Sequence, residues 1–280
     1  MTLRLADIGA RIEGVEQLGA VVNAMRGIAA ARAQQARTQL EAVDSYAATI
    51  AAAISRALTL MPTLRAGPSA ESRPALIVFT AEQGFAGAFS EHVLASLGDD
   101  ITGSVLFLVG TRGASMLLER GIEPAWRGAM PSRSAGIPKL ADQISEALYA
   151  RIANGEIVKL DVVFSQWELG HAARIQRLGL LPLDLTGFSN PVQAYPPLHN
   201  LAPADLLAGL TADYLHAQLS HAALHAFAAE NQTRMEAMAA ARDQIARQLT
   251  DLRGKERMVR QEEITAEVIE LAAGATASRS

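Results

Sequence analysis

No proline occurs in the first 60 or so residues, and the apolar positions there advance by alternating steps of four and three. The series is Ile8, Ile12, Val15, Gly19, Val22, Arg26, Ala29, Ala33, Ala36, Leu40, Val43, Ala47, Ile50, Ile54 and Ala57. Such alternation is the 3.5-residue seam of a coiled coil, with Gly19 and Arg26 as its two off-type members. Much of the seam is alanine, so the helix that covers it has to approach closely. At 1.5 Å per residue the helix would run roughly 75–90 Å, longer than one face of an ordinary compact domain uses.

Pro62, Gly67 and Pro68 end this helix, and residues 61–73 read as a linker. A different pattern follows. Ala75–Phe79 and Val105–Val109 are short continuous apolar runs, the signature of strands buried on both faces, and Leu160-Asp161-Val162-Val163-Phe164 reads as a third strand. Helical stretches are expected near Ser90–Leu97, Ala114–Glu119 and over 138–153. Strands alternating with helices predict βαβ units and a mainly parallel sheet. Residues 181–203 carry Pro182, Pro191, Pro196, Pro197 and Pro203 and are expected to be irregular or to end in an edge strand.

From Pro203 onward proline disappears again, and Asp205–Ala273 reads as one helix with a proline near its start. Met235, Met238, Ile245, Leu249 and Leu252 share a seam; Ile264, Val268 and Leu271 are expected to resume on a seam shifted by one residue. The charged stretch between them, 253–263, predicts local unwinding or a change of partner. The expected fold class is therefore α/β plus a long antiparallel coiled coil. Helices from the two chain ends, 1–60 and 204–280, pair with each other, and a small Rossmann-like α/β domain with its linkers, 61–203, is inserted between them.

Composition narrows the function classes. Half of the 280 residues are apolar, enough for a sizeable core, and alanine is abundant. A net charge of -4 argues against nucleic acid as a partner. With no cysteine, disulfides and thiolate metal sites are excluded. Charges at Arg4, Asp7, Arg11, Glu13 and Glu16 interrupt any signal-peptide core, and no apolar run of spanning length occurs, so membrane association is expected only through partners.

Local motifs then carry a family resemblance. Glu230-Asn231, Arg234-Met235, Met238, Ala240-Ala241 and Asp243 fit an E-x-x-x-R-M-x-x-M-x-A-A-x-D stretch. Arg260-Gln261, Ile264-Thr265, Glu267, Glu270 and Gly274-Ala275 fit R-Q-x-x-I-T-x-E-x-x-E-x-x-x-G-A, at the expected distance from the first block. Ile8, Arg11-Ile12, Val15, Ala24-Met25 and Ile28-Ala29-Ala30 fit an N-terminal I-x-x-R-I-x-x-V…A-M-x-x-V-A-A stretch, and Glu82-Gln83-Gly84-Phe85-Ala86-Gly87 stands where a D-R-G-L-C-G turn is found. Together these resemble the gamma subunit of F-type ATP synthases, the central rotor stalk, over nearly the whole chain, as a divergent or alternate-copy member. Two departures stand out, and the first removes positive charge. Residues 16–22 lack the family's K-N-T-x-K-I-T, and Glu256-Arg257 replace a frequent Tyr-Asn.

The resemblance implies a mechanical, non-catalytic subunit of a proton- or sodium-transporting ATP synthase, with no cofactor and no metal of its own. Its implied partners are the alpha and beta subunits of the catalytic ring, an epsilon subunit and the membrane rotor ring, at the cytoplasmic face of the membrane. The implied ring contacts are Met25, Arg26, Arg260, Gln261, Thr265 and Glu267, with the Ala-rich tip Ala266–Ala277 as a bearing. Arginine suits transient charge-assisted bonds to carboxylates on such a ring.

Two other readings stay beside this one. A coiled-coil adaptor would show the same periodicity. A nucleotide-binding enzyme is suggested by strand 75–79 followed by Gly84-x-x-Gly87, but neither G-x-G-x-x-G nor G-x-x-x-x-G-K-[ST] follows a strand here. His221 and His225, four apart and preceded by His216, have metal-binding spacing without an evident third ligand. Trp126 and Trp167 are read as packing residues.

Overall fold

The computed structural model describes residues 5–60, 73–167, 173–183 and 197–277, with side chains to residue 273. Two helices dominate: α1 (Leu5–Leu58) and α6 (Pro203–Ala277). Between them come β1 (Arg73–Phe79), α2 (Phe89–Ala95), α3 (Asp100–Gly103), β2 (Val105–Val109), α4 (Thr111–Glu119), β3 (Trp126–Gly128), α5 (Ile137–Ala153), β4 (Ile157–Gln166) and β5 (Arg174–Leu181). The chain forms two compact units. One joins residues 1–28 with 235–280; the other is 29–234.

In the larger unit the strands order as β3-β2-β1-β4-β5, parallel except for the antiparallel β4–β5 pair. Central β1 and β2 are buried on both faces, which is why they read as unbroken apolar runs. Side chains alternate across the sheet. Ile77, Phe79, Phe107 and Val162 face a core shared with α5 and with Leu215, Leu219 and Ala222 of α6. Leu76, Val78, Leu108 and Val163 face a second core with Val93 and Leu117 of α2 and α4.

The expected strands are present, β2 with the bounds read and β1 and β4 slightly longer, and the N-terminal seam holds along its whole length: every member from Ile8 to Ala57 is buried or half-buried. Two strands were not anticipated. Three-residue β3 is too short to show a period. Edge strand β5 exposes most of one face, so it carries arginines and a glutamine where a buried strand would be apolar. The 61–73 linker, apart from Arg73, and prolines 191 and 196 lie outside the described residues. Trp126 stacks on Phe107 with ring centroids 5.9 Å apart, and Arg37 lies 3.5 Å over the Trp167 ring.

Of the two alternatives for the charged stretch 253–263, local unwinding is ruled out, because α6 runs unbroken through it. Ile264, Val268 and Leu271 are exposed and form no seam with α1. In the smaller unit Gly19 meets Ile245 and Glu16 meets Arg253, so the two helices run antiparallel. These two pairs put Leu5 level with residues 259 to 264, and every described α6 residue from Arg260 to Ala273 is exposed.

Where α1, α6 and β4 meet in the larger unit, His221 and His225 place their Nε2 atoms 3.1 Å apart, with His225 stacked on Phe164. Asp44 of α1 lies 3.3 Å from His221 Nε2, an acidic neighbour the sequence did not reveal. Among the described residues no three such groups converge to hold a metal ion. Burial first, and the neighbouring His221 second, push the His225 pKa down from 6.5 to about 4; burial also lowers that of His221, opposed by Asp44. A histidine with a lowered folded-state pKa binds its proton more readily when unfolded, so acid favours unfolding. Its contribution is fully present above about pH 6.5 and fades as pH falls towards about 4. After discounting for partial solvent screening this amounts to roughly 1–2 kcal/mol. Chemical denaturation across that range should show the decline, and His225→Gln should flatten it; an unchanged slope would contradict the account.

Candidate functional site

Two parts of the molecule concentrate polar groups in unusual settings. The first lies inside the larger unit, where α6 passes the turn after β1. Residues 222–229 of α6 are apolar or histidine on all sides, so the helix is enclosed there. The side chains that follow are enclosed as well: Glu230, Asn231 and Arg234 are each 4% exposed or less. Burying a carboxylate and a guanidinium is costly unless their bonding capacity is filled, and here it is. Glu230 pairs with Arg234 one turn on and accepts bonds from the backbone N–H of Glu82 and of Gln83, both at 3.3 Å. Arg234 donates to the carbonyl oxygens of Gln83 and Gly84, both at 3.1 Å, and to Asn231 at 3.2 Å.

The turn is tied down on its other side by Glu82. Its carboxylate accepts from Met130 N–H at 2.9 Å and Thr111 N–H at 3.2 Å, while its carbonyl accepts from the Thr111 hydroxyl at 2.6 Å. Held this way, Phe85 adopts φ 62° and stands 67% exposed. The turn N–H groups that a phosphate would need are therefore used by an internal carboxylate. The E-x-x-x-R spacing is legible in the sequence as a motif. That it is a buried lock on this turn is legible only in hindsight, from its position directly after an all-apolar stretch of helix.

The second part is the helical pair of the smaller unit. Val22, Met238 and Ile245 form its small core, flanked by Val15, Met25, Ala241 and Leu249. The two contact candidates on α1 sit at this seam. Met25 packs against the core, and Arg26 is half-buried, reaching Asn23 at 3.4 Å. Gly19, off-type in the sequence, is explained by contact: a Cβ there would lie 3.3 Å from Ile245 Cγ2.

The α6 candidates stand apart from that core, on the exposed stretch. At about 100° per residue, Leu271, Ile264 and Val268 share a sector roughly 60° wide. Arg260 and Glu267 line one edge of that sector, Gln261 and Thr265 the other. Arg260 is held by Glu256 at 2.7 Å, and the Thr265 hydroxyl donates to Gln261 carbonyl at 2.7 Å. The result is an apolar stripe with a polar rim, the usual anatomy of a surface made for a partner. The structure thus gathers four of the six candidates around one stripe and leaves Met25 and Arg26 on a different helix.

A family model described as ATP synthase matches residues 4–277. The ATP synthase gamma chain of Clavibacter sepedonicus is 27% identical over 96% of each chain, and that of Frankia casuarinae is 27% identical over 100% of this chain and 99% of the relative. A chain in the structure of the Euglena gracilis mitochondrial ATP synthase, OSCP/F1/c-ring, superposes with a TM-score of 0.69 over 98% of this chain and 94% of that one. At 14% identity that likeness speaks for the fold.

Removing one side of the buried lock leaves a charge without a partner. Arg234→Ala should cost about 3–5 kcal/mol of stability, read as a lowered denaturant midpoint. Loss of less than about 1 kcal/mol would show that the pair is not the constraint it looks to be.

Proposed function

The chain belongs to the ATP synthase family as a gamma chain, the rotor of the central stalk, and from that premise we propose that its exposed α6 stretch is the part that engages the catalytic ring. The observation that carries this is the exposure of Ile264, Val268 and Leu271, at 55%, 58% and 74%, on a stretch of helix whose described residues from 260 onward are all exposed. An apolar stripe of that kind is stable in an assembly and a liability outside one.

In this reading the helical pair lies inside a ring of alternating alpha and beta subunits, and its uneven surface places otherwise equivalent catalytic sites in different states as it turns. Apolar side chains without deep pockets give a bearing, and Arg260 and Glu267 on one edge, Gln261 and Thr265 on the other, supply bonds that form and break with each step. Met25 and Arg26 add contacts from α1. The chain carries torque between ring and membrane rotor, with epsilon as a companion subunit. It needs no cofactor for that role and reaches the cytoplasmic face of the membrane through partners. No helix among the described residues is long and apolar enough to cross a membrane.

Co-purification tests the role: the tagged chain should bring down alpha and beta subunits with ATP hydrolysis. A coiled-coil adaptor would bring down no ATP-hydrolysing ring. Within such a complex, Arg260→Ala with Gln261→Ala should lower ATP-driven ion pumping at least about tenfold, equivalent to about 1.4 kcal/mol. The melting temperature of the free chain should stay unchanged, because both side chains are exposed. Full pumping by the double variant would remove them from the contact set.

A further inference from the structure

One hydroxyl in the larger unit differs from the others on the long helices. Ser55 of α1 and Thr211 and Thr233 of α6 each donate to the carbonyl oxygen one turn back, at 2.9, 2.8 and 3.0 Å. Ser220 of α6 does not. It is 4% exposed, and its Oγ has no hydrogen-bond partner among the described residues. A buried hydroxyl in that state costs free energy until an acceptor meets it.

Ser220 lines a cavity of about 410 Å³ where α1, α5 and α6 meet. That volume lies in the range of sites that hold small organic molecules. Val43 of α1, Ile137 of α5 and Leu224 of α6 supply apolar walls, and Tyr46 of α1, 46% exposed, adds an aromatic ring. Among the described residues no carboxylate, lysine or arginine lines the cavity. The imidazole of His216, also in the lining, is engaged by Asp142 of α5 at 3.1 Å. A charged ligand would therefore lose its hydration without meeting an opposite charge. A neutral acceptor would meet the Ser220 hydroxyl.

We propose that this cavity binds an uncharged aromatic molecule whose carbonyl oxygen accepts the Ser220 hydroxyl while its rings pack among Val43, Ile137 and Leu224. The cavity shares no residue with the buried Glu230–Arg234 lock or with the exposed α6 stretch, so the proposal stands apart from the rotor role.

Benzophenone is the probe: it is neutral, has two rings and one carbonyl, and is photoreactive. Diphenylmethane keeps the rings and lacks the carbonyl; 4-benzoylbenzoate adds a carboxylate. Calorimetric titration of the full chain should show benzophenone at a single site, about three- to tenfold tighter than diphenylmethane, the gain that one hydrogen bond gives. The carboxylate should weaken binding at least about tenfold. Ser220→Ala should erase the difference between benzophenone and diphenylmethane and leave diphenylmethane binding unchanged. Ala42→Trp, at an exposed position of the lining, should block all three ligands while circular dichroism shows the helices intact. On irradiation, benzophenone adducts mapped by mass spectrometry should fall among the lining residues, in the free chain and in the assembled, ATP-hydrolysing complex alike. Equal affinity for benzophenone and diphenylmethane, an unchanged ratio in Ser220→Ala, or adducts scattered along the chain overturns the proposal. So does loss of labelling on assembly, which would make the groove a contact with another subunit.

Discussion

The antiparallel pairing of α1 with α6 is the contact on which the rest depends, and it joins residues almost as far apart in sequence as the chain allows. Glu16 meets Arg253 across 237 positions, and Arg37 meets Gln232 across 195. Closing a flexible loop of that length costs about 5 kcal/mol of chain entropy. The inserted sheet reduces that cost. β1 follows α1 and β5 precedes α6, and both helices enter the core of the sheet: Ala36 and Leu219 share one cluster with Ile77 and Phe107. The two ends are thus brought together by the same packing that folds the α/β unit. Neither helix could keep a 3.5-residue apolar seam in water alone, so pairing and folding are one event rather than two.

Alanine makes the pairing tight. Ala29, Ala33, Ala36, Ala47 and Ala57 are all buried on the α1 seam, and small side chains let helix axes approach while losing little rotamer entropy. Tightness by itself does not fix register, because an alanine stripe can slide. The buried Glu230–Arg234 pair supplies what alanine lacks. Its bonds to Gln83 and Gly84 admit one position of α6 against the turn and no other. Buried ion pairs contribute little net stability but discriminate strongly against misalignment, since any slip leaves a charge unpaired.

These physical facts explain what could be read from the sequence. The α1 seam was legible to the residue because its period is unbroken over fourteen steps, β1 and β2 because strands buried on both faces leave few polar interruptions, and β4 because its apolar residues outweigh the single Asp161 among them. β5 was not, since an edge strand obeys the sheet on one side and water on the other. The shifted seam at 264–271 was legible as an apolar face, but periodicity does not report whether this chain or another covers it. The contact candidates divide the same way. Arg260, Gln261, Thr265 and Glu267 came from a motif, and their arrangement around one stripe follows from helix geometry. Asp44 beside His221 rests on a meeting of distant segments that spacing alone cannot report.

The sheet order also bears on why a fold shared with many nucleotide-binding enzymes serves a mechanical role. In a β3-β2-β1-β4 arrangement the strand direction of travel reverses between β1 and β4, and ligands of such folds bind outside the carboxyl ends of the strands at that point. Here the turn leaving β1 gives its N–H groups to Glu230, and Arg234 takes the adjoining carbonyls. The anion that this turn accepts is a carboxylate of the chain's own long helix. The place where such folds hold a cofactor is taken up by the attachment of the α/β unit to that helix. Fold and function separate at this point: the sheet positions the helix, and in the proposed role the exposed faces of the helices carry the contacts.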